Sequence, residues 1–69
     1  MKNICIILNG LREEVPKGLT ISELVAYFKE GDPDLIVEVN GVYIYPEKFD
    51  DTPVVNNDSI EFINPNLGG

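Results

Sequence analysis

Thr20-Ile21-Ser22-Glu23-Leu24-Val25-Ala26-Tyr27-Phe28 decides the fold. A Thr at the head and a Glu three residues later are the two halves of a capping box. Hydroxyl and carboxylate each take a backbone N–H that the first turn of a helix leaves without a partner. Behind the cap, Ile21, Leu24, Val25 and Phe28 fall at i, i+3, i+4 and i+7, a single apolar stripe. Gly31 stands where a left-handed C-cap belongs and Pro33 lies just beyond it. The spacing therefore predicts a helix from about Ile21 to Glu30, about three turns long. One stripe calls for one apolar surface to cover, and the flanking segments must supply it.

On the N-terminal side, Ile4, Ile6 and Leu8 alternate with Cys5 and Ile7, so both faces of this first strand are apolar, as in the middle of a sheet. Asn9-Gly10 is the preferred pair for a two-residue type I′ turn, and Leu11 to Val15 returns as a more polar second strand. Pro16-Lys17-Gly18 ends it. On the C-terminal side, Ile36-Val37-Glu38-Val39, a second Asn-Gly pair at Asn40-Gly41, and Val42-Tyr43-Ile44 predict another hairpin. Pro46 to Val55 is polar, with room for one helical turn near Glu47–Phe49. Asn56-Asn57-Asp58 reads as a turn before a last strand, Ser59 to Ile63.

The order is α+β: one helix laid on one face of a four- or five-stranded sheet. Alternation separates the faces. Glu38 and Glu61 must point to water, which sends Val37, Val39, Ile60 and Phe62 towards the helix, together with Ile4, Ile6 and Leu8. Ile7 and Ile63 then fall on the open face. Residues 1–63 form the domain, and 64–69, Asn-Pro-Asn-Leu-Gly-Gly, form a tail with no burial pattern, expected to be flexible. Fully extended, six residues reach roughly 20 Å.

Composition bounds the function. A 69-residue chain buries only about 60% of its unfolded surface, enough for one small core and too little for a deep pocket. Hydrophobic residues at 43% and charged residues at 25% exclude the disordered class. No apolar run suits a membrane span, and Asn9-Gly10 cuts short the apolar stretch that a signal peptide would need. One cysteine excludes an internal disulfide and a cysteine-based zinc site, and points to a cytoplasmic setting. With no histidine, neither a His-dependent triad nor a His metal ligand can be built. Twelve acidic against five basic residues give −7, which repels nucleic acid and anionic membranes and steers towards a basic protein surface. These readings together favour a protein that other proteins act on over an enzyme.

Cys5 reads as a small hydrophobe within the sheet. Asp32/Asp34 and Asp50-Asp51 lack the spacing of a calcium loop and read as solvated charge. Tyr27, Tyr43 and Tyr45 are expected to be half-buried packing residues, and Asn9 and Asn40 to serve their turns alone. Ile7 and Ile63, rimmed by Glu38 and Glu61, form a candidate partner-binding face. Two glycines end a chain by chance in about 1 chain in 200 at ordinary usage, so Gly68-Gly69 alone is a weak signal. A few residues after the last strand of this pattern, it carries more weight.

The hairpin–helix–strands order closed by Gly68-Gly69 resembles the ubiquitin-like β-grasp fold. More narrowly, the chain is similar to the ThiS-type sulfur carriers within the ThiS/MoaD group. The residues that carry the likeness are Leu8-Asn9-Gly10, Gly18-Leu19-Thr20-Ile21-Ser22-Glu23-Leu24, Val37-Glu38-Val39-Asn40, Ile44-Tyr45-Pro46, Asn57-Asp58-Ser59-Ile60-Glu61-Phe62 and Gly68-Gly69. It departs from the family's habit at Glu47, where a basic residue is common, and in Asn64-Pro65-Asn66-Leu67, where the approach to the glycines is often hydrophobic or aromatic-rich.

The resemblance implies that the carboxylate of Gly69 is adenylated by an E1-like (ThiF/MoeB-type) enzyme using ATP. It is then converted to a thiocarboxylate and consumed by a sulfur-accepting synthase of the thiazole synthase type. Leu67 and Gly68 thread the tail into the enzyme. The carrier itself binds no cofactor, has no turnover of its own, and is a monomer when free. The acceptor pathway stays open: thiazole of thiamine first, then molybdopterin or another metabolite. Two other classes remain, a ubiquitin-like protein modifier, recognisable by isopeptide conjugates, and a binding module indifferent to loss of the tail.

Overall fold

The computed structural model describes residues 2–66. Within them the order is β1 (Asn3–Leu8), β2 (Leu11–Pro16), α1 (Ile21–Tyr27), β3 (Ile36–Val39), β4 (Val42–Ile44), a 3₁₀ helix (Pro46–Asp51) and β5 (Ser59–Ile63). The five strands form one mixed sheet in the order β2-β1-β5-β3-β4. β5, last in the chain, sits in the middle. It runs parallel to β1, through Ile7↔Ser59 and Leu8↔Ile60, and antiparallel to β3, from Ile36↔Ile63 to Val39↔Ile60. With α1 on one face, this is the ubiquitin-like β-grasp arrangement.

Local chemistry explains the joints. Asn9 and Gly10 have φ of 50° and 83°, and Asn40 and Gly41 have 52° and 81°: both central residues of each turn are left-handed, as a type I′ hairpin requires. Thr20 caps α1 as expected. Its Oγ1 accepts from the Glu23 N–H at 3.2 Å, and Glu23 Oε1 accepts from the Thr20 N–H at 2.9 Å. The same end is tied to the segment after the 3₁₀ helix, where the Ile21 N–H donates to the Thr52 carbonyl and the Val54 N–H to the Leu19 carbonyl.

The far end of α1 differs from expectation. The helix stops at Tyr27, with Phe28 as C-cap. Lys29, not Gly31, takes the left-handed position, at φ 57°. The Lys29 N–H donates to the Ala26 carbonyl (2.9 Å) and the Glu30 N–H to the Val25 carbonyl (3.0 Å), the two bonds of a Schellman motif. Those bonds satisfy the last carbonyls two residues earlier than a cap at Gly31 would, so the glycine has no capping task.

The core follows the alternation. Ile6, Ile21, Leu24, Val37 and Ile60 are fully buried, and Ile4, Val15 and Phe62 nearly so. Leu8, Val25, Phe28 and Val39 pack around them. Leu35 and Val54 join the core from loops and were not foreseen. The three tyrosines depart from expectation. Tyr27, Tyr43 and Tyr45 are all exposed; Tyr43 on β4 and Tyr45, just past its end, stack edge-to-face with ring centroids 4.8 Å apart, so their packing partner is one another.

Candidate functional site

The tail leaves the domain from β5, so the fixity of that strand decides where the tail begins. Its start is held by Asp58, only 6% exposed, whose carboxylate accepts from the Val55 N–H (2.9 Å) and from Asn40 Nδ2 (3.0 Å). Asn40 Oδ1 in turn accepts from the Ser59 N–H at 2.9 Å. Further along, Asn9 Oδ1 accepts from the Phe62 N–H at 2.8 Å. The two turn asparagines therefore do more than turn. Each continues the ladder of β5 from the end of a neighbouring strand, giving a backbone N–H of β5 a side-chain partner. Sequence reading assigned these residues to their turns, and no local pattern distinguishes an Asn with a second, distant partner.

The open face carries all four residues expected there, in a different arrangement. Ile7 and Ile63 are 36% and 38% exposed on the side away from α1. They are not neighbours. Ile7 lies opposite Ser59, and Ile63 is four residues further along β5, about 13 Å at the usual rise. Glu61 lies between them, paired directly with Glu38 on β3, which pairs in turn with Tyr43 on β4. The acids expected to rim an apolar patch instead divide it. Ile63 gains a different apolar companion, Ile36, directly across the ladder, and Ile7 faces Arg12 on β2. The face is an acidic row with an apolar pair at the end where the tail departs.

Of the tail, Asn64 to Asn66 are described. Asn64 Nδ2 donates to Glu30 Oε1 and to Asp32 Oδ2, each at 3.1 Å, and Asn66 Nδ2 donates to Asp34 Oδ2 at 2.9 Å. Expected to leave the domain unattached, these residues are instead bonded to the loop after α1. Leu67, Gly68 and Gly69, the residues expected to thread and to react, lie outside the described residues.

Other candidates resolve into structural tasks. Cys5 is a partly buried free thiol on the open face, opposite Glu14. Its backbone N–H donates to Asn56 Oδ1 at 2.9 Å and its carbonyl accepts from the Asn57 N–H at 2.7 Å, joining β1 to the turn before β5. Asp50 accepts from the Ser22 hydroxyl in the first turn of α1. No cluster of carboxylates and thiols suited to a metal occurs among the described residues. Nor is any described helix long and apolar enough to cross a membrane. An open groove of about 350 Å³ lies between Ile4, Lys17, Gly18, Val54, Val55 and Asn56. Its walls are mainly apolar, and they set no nucleophile beside a base, so acid–base or covalent catalysis has no constellation there.

Comparison with known proteins agrees with this geometry. No curated protein matches the chain significantly by sequence. The crystal structure of the thiamine biosynthesis protein ThiS from Geobacter metallireducens superposes with a TM-score of 0.84 at 30% identity, covering 96% of this chain and all of that one. The solution NMR structure of a thiamine biosynthesis protein from the same organism gives 0.82 at 30% identity, covering 96% of this chain and 88% of that one. The family model for ThiS matches residues 6–69, from the first core strand through both terminal glycines, and the chain belongs to the ThiS family.

Proposed function

We propose that this protein is a sulfur carrier of thiamine biosynthesis, a co-substrate whose chemistry takes place at the carboxylate of Gly69. A carboxylate is a poor acyl donor. Attack of its oxygen on the α-phosphorus of ATP, in a ThiF/MoeB-type adenylating enzyme, releases pyrophosphate and leaves an acyl adenylate. A sulfur nucleophile then forms the C–S bond as the C–O bond to AMP breaks, and the resulting thiocarboxylate passes its sulfur to a synthase of the thiazole synthase type. ATP belongs to the partner enzyme. The observation that carries this reading is the family match running through Gly69, joined to solved relatives named for thiamine biosynthesis. Those relatives favour the thiazole acceptor over molybdopterin or a protein lysine.

The residues divide the work. Gly68 and Gly69 lack Cβ atoms and can follow a narrow channel in backbone conformations other residues avoid, with Leu67 preceding them. The open face docks the adenylating enzyme: Ile63 supplies burial at the tail end and Ile7 at the far end, while Glu38 and Glu61 attract a basic surface. Deleting Gly69 draws the carboxylate back by about 3.5 Å, which a reaction sensitive to displacements near 1 Å cannot absorb. The expected result is loss of ATP–pyrophosphate exchange with the adenylating enzyme of the same genome, and a strong reduction for Gly68→Val, with thermal stability unchanged in both. Exchange at the wild-type rate after deletion would overturn the carrier reading.

A further inference from the structure

The loop after α1 presents three carboxylates within five residues, and each is used. Glu30 Oε1 accepts from the Asp32 N–H at 3.2 Å and Asp32 Oδ1 from the Asp34 N–H at 2.8 Å, so the loop fixes its own acids. Its two ends are anchored as well, one by the Schellman bonds that finish α1, the other by Leu35 in the core. Against this frame lie two amides on alternate residues of the tail: Asn64 on Glu30 and Asp32, and Asn66 on Asp34. Pro65 and Asn66 form a turn just past the end of β5, and there both amides meet the loop. Chemistry matters here. Amide donors meeting ionised acceptors make charge-assisted bonds, whereas another carboxylate at either position would be repelled.

We propose that Glu30, Asp32 and Asp34 are positioning residues for the carrier reaction: by clasping Asn64 and Asn66 they set the direction and length of the segment that delivers Gly69. The proposal rests on the carrier reading. With the clasp closed, only Leu67-Gly68-Gly69 separate the last fixed point from the reacting carboxylate. The maximal reach falls from roughly 20 Å to about 10 Å, and the volume to be searched falls with it. The order needed to enter the partner's channel is established when the domain folds and not during each adenylation. Docking uses the sheet, which the clasp does not touch. Its loss should therefore appear in kcat and not in KM.

The test is a polarity swap in the full-length protein. Asn66→Asp sets a carboxylate against Asp34. Adding Asp34→Asn restores an amide–carboxylate bond with donor and acceptor exchanged. Two readouts are taken: the ¹⁵N heteronuclear NOE of the Asn66 and Leu67 amides, and adenylation kinetics with the adenylating enzyme of the same genome. Asn66→Asp should lower the NOE and cut kcat by about 10-fold, a loss typical of imperfect placement, while KM and Tm hold. The double variant should recover both NOE and kcat. If Asn66→Asp matches wild type in kcat, or the double variant fails to recover, the clasp has no positioning role. A wild-type chain that is never adenylated would instead overturn the carrier reading itself, and the proposal with it.

Discussion

On the helix side of the sheet, Val37 and Ile60 are fully buried beneath Ile21 and Leu24; on the other side, Ile63 keeps 38% of its surface and Glu38 stands directly opposite Glu61. The same two strands, β3 and β5, supply both sets. The covered face is arranged for stability, with aliphatic side chains packed against a capped helix. The open face accepts an unfavourable like-charge pair in the middle of the molecule, and like charges opposed across a ladder destabilise it. On the proposed function, the covered face maintains the domain and the open face meets the partner, so the two should respond to substitution in opposite ways.

The largest stability effect belongs to the covered face. Ile60→Ala leaves a cavity in the central strand and should cost about 2–5 kcal/mol, measured by denaturant unfolding. Thr20→Ala removes the cap of the helix that covers this face and should cost about 0.5–2 kcal/mol. Crossing to the open face, the sign should reverse. Glu61→Gln relieves the repulsion from Glu38 and should stabilise the domain by about 0.2–1 kcal/mol, while slowing association with a basic partner surface at low salt. The smallest stability change is expected for Ile63→Asp, within about 0.5 kcal/mol, yet it should weaken the complex with the adenylating enzyme markedly. Unfolding by Ile63→Asp, or destabilisation by Glu61→Gln, would break the division between the faces.

What could be read from the sequence was what short segments encode alone. Asn9-Gly10 and Asn40-Gly41 specify their turns because two adjacent residues must both adopt positive φ. Thr20 and Glu23 specify the helix start because the partners of a capping box are three residues apart. Alternation placed Val37, Ile60 and Phe62 inside and Glu61 outside. The helix end was misplaced because a lysine at φ 57° leaves no compositional mark, whereas a glycine two residues later does. Leu35 and Val54 were missed because loop residues enter the core without a period to reveal them.

The candidate site was legible to a smaller degree. The face of Ile7, Glu38, Glu61 and Ile63 follows from parity, but their spacing depends on the strand order. That order puts Ser59 beside Ile7 and leaves Ile63 beyond the end of β1. The partners of Asn64 and Asn66 lie 32 to 34 residues away in the chain, on a loop whose acids resemble ordinary solvated charge. Only the folded chain brings them together.

The central claim is that Gly69 carries sulfur, and the most direct measurement is the intact mass of the protein isolated from its own cells, with fragmentation to locate any change. A carrier should contain a fraction heavier by one sulfur-for-oxygen exchange, confined to the C-terminal residue and lost when the adenylating enzyme is deleted. An unmodified mass in cells that are actively making thiamine, or Gly69 joined to a target lysine, would contradict it.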